Sequence, residues 1–192
     1  MSGAGFHVHG PHDHELEHAA QHGDKDSFSG FIAVTTAVLA TIGALFAYMG
    51  GATQANAGLY KNNAAIKKTE ASNQWNYYQA KSSKQNLSEL AVALVPDDKK
   101  GQYQSEVERY KKEKAEIKDV ADKLEAEAKD WDARSDAELH LHHRWAQATT
   151  ALQISIALAA IALLTRRRWL TWGVFGVAGI GVALGAAALM HI

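Results

Sequence analysis

A chain of 192 residues with a net charge of −1 carries no global field of one sign, which argues against nucleic acid as a partner. The absence of cysteine excludes disulfides, thiolate metal sites and cysteine nucleophiles. Two prolines, abundant Ala, Lys, Glu and Gln, and no alternating apolar and polar run of strand length point to an all-α protein.

The first 27 residues form a polar, histidine-rich tail containing His7, His9, His12, His14, His18 and His22. It lacks the basic start and early apolar core of a signal peptide, so it is expected to be retained. From Asp13 the residues suit a short helix, on which His14, His18 and His22 would share one face. Three imidazoles on one stripe can hold a divalent transition metal, zinc, nickel or copper; His7, His9 and His12 could add to the set. The string His14-Glu15-Leu16-Glu17-His18 matches the H-E-x-x-H zinc-protease pattern. A short pattern in a tail this rich in His and Glu arises easily by chance, and the chain offers no material for a substrate-binding strand.

Residues 28–50 are read as the first transmembrane helix, since Gly30 to Met49 is apolar, uncharged and about the 20 residues that a bilayer core requires. Ala33, Ala37 and Thr41, with Ala40 and Ala44, place small residues four apart, and Gly50-Gly51 suggests a kinked exit. Residues 51–145 are then polar and charged, and are expected to form an antiparallel, coiled-coil-like helical hairpin turning at 96–101. Each arm would rise about 65 Å at 1.5 Å per residue.

In the first arm, Leu59, Ile66, Leu87, Leu90 and Leu94, interspersed with asparagines such as Asn63 and Asn73, predict a polar seam toward the other arm. Buried amides of that kind favour a defined register or oligomer over maximal stability. Trp75, Tyr77 and Tyr78 concentrate aromatic surface and are candidate oligomer or partner contacts. In the second arm, Val107, Tyr110, Lys114, Ile117, Ala121, Leu124, Ala128, Trp131, Ser135 and Glu138 alternate by three and four, as a heptad requires. Acid-first pairs four apart, Glu108 with Lys112, Asp119 with Lys123, Glu125 with Lys129 and Asp130 with Arg134, read as a solvated face. The arm ends in His140, His142 and His143, a second candidate histidine cluster, beside Trp145, which suits an interfacial anchor.

Residues 146–165 and 169–190 are read as the second and third transmembrane helices, joined by Arg166-Arg167-Arg168. On the last helix Gly181 and Gly185 form a Gly-x-x-x-Gly pair expected to mediate helix packing. Cationic short loops stay cytoplasmic, whereas long loops translocate largely regardless of charge. That rule places the arginine loop and the N-terminus in the cytoplasm and the hairpin outside, in the periplasm of a Gram-negative cell.

The histidine-rich opening, the run Trp75-Asn76-Tyr77-Tyr78-Gln79-Ala80-Lys81-Ser82, the clustered histidines, and Leu163-Leu164-Thr165-Arg166-Arg167-Arg168-Trp169 together resemble the bacterial membrane proteins of domain-of-unknown-function family 4337. The resemblance implies a multi-pass protein of the bacterial inner membrane, with the lipid bilayer as its partner, and implies no activity or catalytic residues. The residues themselves favour a non-enzymatic, homo-oligomeric structural or assembly protein. The alternative is a metal-responsive membrane protein or oligomeric channel that uses the N-terminal histidines.

Overall fold

The computed structural model describes residues 27–190, and these are all-α, with no strand among them. Helix α1 runs Ser27–Leu94, α2 Asp97–Thr165 and α3 Leu170–Leu189. Pro96 separates the two long helices because it cannot donate a backbone hydrogen bond and disfavours helical geometry at Val95. The reversal occupies only Val95 and Pro96, tighter than the expected turn at 96–101. Lys99, Lys100 and Gly101 already lie in α2, whose first turn carries Asp97 and Asp98 where the helix dipole favours negative charge. Gly50-Gly51 does not interrupt α1, which continues through both glycines.

The described residues divide into two units, one of residues 27–46 with Gln147–Met190, the other of Ala47–Ala146. In the first, three apolar helix segments meet around Ile32, Leu39, Leu152, Ala159, Val174 and Ala178. The buried residues of α3, Val174, Ala178, Gly181, Gly185 and Ala188, alternate by four and three, so one stripe faces its neighbours. Ser155 Oγ–H donates 2.7 Å to the Val174 carbonyl, joining α2 to α3 and satisfying a hydroxyl that would otherwise be buried without a partner. The small residues Ala33, Ala37, Ala40, Thr41 and Ala44 face outward; the α1 contact face is Ile32, Leu39, Gly43 and Phe46. Large apolar side chains, among them Val34, Leu45, Ile154, Leu164, Trp172 and Ile180, are exposed around this unit. All three helices contain a segment long and apolar enough to cross a membrane.

In the second unit, cross-links between the arms run in opposite order: Lys61 with Asp132, Lys67 with Glu127, Lys81 with Glu113 and Ser88 with Glu106. The arms are therefore antiparallel. Every member of the expected α2 heptad is buried or half-buried. The α1 seam differs from expectation. Thr53, Ala57, Ala64, Ala71 and Ser88 are its buried residues, while Leu59, Ile66, Leu87, Leu90 and Leu94 are 47% to 74% exposed. Small residues win the inward positions because they let the arms approach closely while Val107, Ile117 and Leu124 of α2 fill the space between them.

Candidate functional site

The most structured side-chain arrangement lies in the hairpin around Trp75. Nε1–H of Trp75 donates 2.7 Å to Glu125 Oε1 across the arms, and its ring meets Tyr78 edge-on with centroids 5.6 Å apart. Lys114 Nζ lies 4.9 Å from the Tyr78 centroid, and Lys81 Nζ lies 5.1 Å from Tyr77 and 5.6 Å from Tyr110. Trp75 and Tyr78 thus tie the two arms of one chain together, and Tyr77 keeps half its surface open.

Lys81 Nζ stands 2.6 Å from Glu113 Oε2, an oxygen that is buried without a second partner. No hydrogen bond of good angle closes on that oxygen, but at this distance the ion pair itself is its compensation. The short Lys81 contact, with help from Arg109, holds the Glu113 carboxyl below its usual range. Glu113 and then Tyr77 push the Lys81 ammonium above its own.

Beside this layer an open groove of about 750 Å³ runs between the arms, floored by Ala64, Ala65, Ala71 and Ala128 and walled by Trp75. Its carboxylates are engaged, Glu125 by Trp75 and Asp132 by Lys61. Lys129 faces the groove, so the expected Glu125–Lys129 pair gives way to the indole. Likewise Glu108 takes Lys111 in place of Lys112, whereas Asp119 with Lys123 and Asp130 with Arg134 pair four apart. Exposed pairs of this kind are screened by water and contribute little to stability.

The second histidine cluster does not converge. His142 turns toward α1, where Nδ1 lies 2.8 Å from the Gly50 carbonyl; a carbonyl only accepts, so this nitrogen carries the proton. His140 and His143 are exposed, and the rings of His142 and His143 are 5.8 Å apart. Among the described residues no three His or carboxylate side chains come together as a metal site would require. Trp145, expected at an interface, is 2% exposed and packs its Cβ against Gly50. A side chain at Gly50 would push the two helices apart there, so the close approach, and not a kink, explains that glycine. Gly181 and Gly185 are both buried, the first against Leu152, the second against Phe46. The candidate ligands His7, His9, His12, His14, His18 and His22 lie outside the described residues.

A family model described as a domain of unknown function, DUF4337, matches residues 28–191, nearly the whole chain. The chain belongs to the DUF4337 family. No curated protein and no solved structure matches this DUF4337 chain. The features that sequence reasoning missed in it, the Lys81–Glu113 pair and the His142 to Gly50 contact, join residues far apart in sequence. Their only advance signal was the seven-residue spacing that brings such positions onto facing sides.

Proposed function

We propose that this DUF4337 protein is a non-enzymatic, homo-oligomeric assembly protein of a bacterial inner membrane, rooted by three transmembrane helices and presenting its helical hairpin outside the bilayer. The observation that carries the membrane part is the outer surface of the three-helix unit. Val34, Leu45, Ile154, Leu164, Trp172 and Ile180 are exposed there, and none of Gly30–Met49, Ala146–Thr165 or Leu170–Leu189 contains Asp, Glu, Lys or Arg. Water penalises such a surface; hydrocarbon does not. Assembly is supported by the exposed Leu59, Ile66, Leu87, Leu90 and Leu94 on the hairpin.

The arginine loop, Arg166–Arg168, is assigned to the cytoplasmic side and the hairpin to the opposite side. A channel reading is less favoured, because none of the three spans contains the Asp, Glu, Lys or Arg that usually marks an ion route through a membrane. Native mass spectrometry of the full-length protein released from detergent tests the proposal: a discrete oligomer is expected. A monomer would reject it, and an oligomer retaining about one metal per tail would shift the reading to the metal-responsive alternative.

A further inference from the structure

The two arms of the hairpin present opposite kinds of outer surface. On α2 the residues pointing away from the seam include Glu108, Lys112, Asp119, Lys123 and Asp130, as a solvated helix face should. On α1, from Gly58 to Leu94, no charged residue occupies any of the three heptad positions pointing away from α2; the arm's charges, such as Lys61, Lys67 and Lys81, all flank the seam. Within that face Leu59, Ile66, Asn73, Ala80, Leu87 and Leu94 recur at intervals of seven, and all are exposed.

An interval of seven drifts about 20° per repeat around a straight helix. Here it does not drift relative to the hairpin, because the inward residues Ala57, Ala64, Ala71, Tyr78 and Gln85 also recur every seven. The outer row therefore stays in one line along the arm. Water gives no reason to keep a largely apolar line at fixed period; a helix packed along it does.

We infer that the charge-free face of α1 is covered by the same face of α1 from a second copy, the two helices lying parallel with Asn73 opposite its own counterpart. This rests on the assembly reading. Copies inserted the same way into one bilayer are related by an axis along its normal, so α1 meets α1 in parallel and each residue of the row lies near itself. At such a contact any charged residue meets its own sign. A face without charge is the composition that avoids this cost, whereas a different protein partner would find no charge to recognise. The Asn73 amide donates and accepts at once, so it pairs with its copy and fixes the register of an otherwise apolar row.

The chain has no cysteine, so single cysteines report directly. Ile66→Cys, Asn73→Cys and Leu87→Cys are introduced separately into the full-length protein in membranes and oxidised with copper phenanthroline, beside Lys112→Cys and Lys123→Cys on the outer face of α2. Several-fold more covalent dimer is expected from the α1 positions, because a disulfide requires the two Cα atoms within about 7 Å. Asn73→Lys, which sets like charges opposite each other, should lower the subunit count while helical circular dichroism is kept. Equal yields on both outer faces, or no α1 dimer in a preparation whose mass spectrum shows an oligomer, would overturn the inference and leave assembly standing. A monomeric wild-type protein would remove both.

Discussion

At Gly185 the packing of the three-helix unit depends on a single hydrogen atom. A methyl group there would overlap the Phe46 ring, and at Gly181 it would sit 3.1 Å from the Leu152 side chain and 3.2 Å from the Ala148 carbonyl oxygen. At Gly173, Gly176 and Gly179 an added Cβ meets nothing within 4 Å. Gly185→Ala should therefore destabilise the protein by about 1–3 kcal/mol through overpacking. Gly176→Ala, an open position on the same helix, should stay within about 0.5 kcal/mol of wild type. Denaturation in mild detergent measures both. Phe46→Leu should recover part of the Gly185→Ala loss, since the two side chains compete for one volume. A Gly176→Ala protein as unstable as Gly185→Ala would mean that the cost lies in α3 itself and not in its contact with α1. Sequence marks five glycines on this helix alike. Which of them are contacts depends on the phase of a stripe that only the neighbouring helices define.

The Lys81–Glu113 pair lets the stability of the hairpin be probed as an element. Glu113 is shifted down, so its contribution is present above the ordinary carboxyl range near 4.5 and is lost as pH falls through the lowered value. Lys81 is shifted up, so its contribution holds below 10.5 and disappears only as pH rises through the raised value. The contribution of this pair to hairpin stability should be flat across neutral pH and fall below about pH 4.5. In Lys81→Met the acid-side slope from Glu113 should shrink, which thermal unfolding followed at several pH values would reveal. An unchanged slope would assign the acid loss to other carboxylates. The same element shows how far sequence reaches. On α2, heptad and burial coincide because its large apolar residues face inward. On α1, leucines mark the outside and Ala57, Ala64 and Ala71 the inside, so hydrophobicity alone selects the wrong face. Alanine carries little hydrophobic signal, and its inward position is set by how closely the arms approach. Trp75 was legible as an aromatic concentration, but its bond to Glu125 was not, because i to i+4 spacing offered Glu125 a nearer partner in Lys129.

For the whole molecule, the proposed orientation sets two groups of cations against each other. Arg166, Arg167 and Arg168 fill the short connection between α2 and α3, where Arg166 adopts a left-handed φ of 52° that glycine normally takes at a helix end. A residue held there at a conformational cost of about 1–2 kcal/mol makes sense if its charge is worth more than its strain. Against it stand Lys61, Lys67, Lys68, Arg134 and Arg144 in the hairpin, but they lie in a segment long enough to translocate regardless of charge. Replacing all three arginines by glutamine should therefore yield a mixed population, with part of the protein inverted. A single cysteine at Gly101, at the tip of the hairpin, reports the outcome: a membrane-impermeant maleimide added to intact cells should label it nearly completely in the parent and only partly in the triple variant. Labelling only after lysis in the parent would place the hairpin in the cytoplasm and reverse the topology. Complete labelling in both would show that the arginines are dispensable for orientation, leaving the left-handed Arg166 without an electrostatic reason.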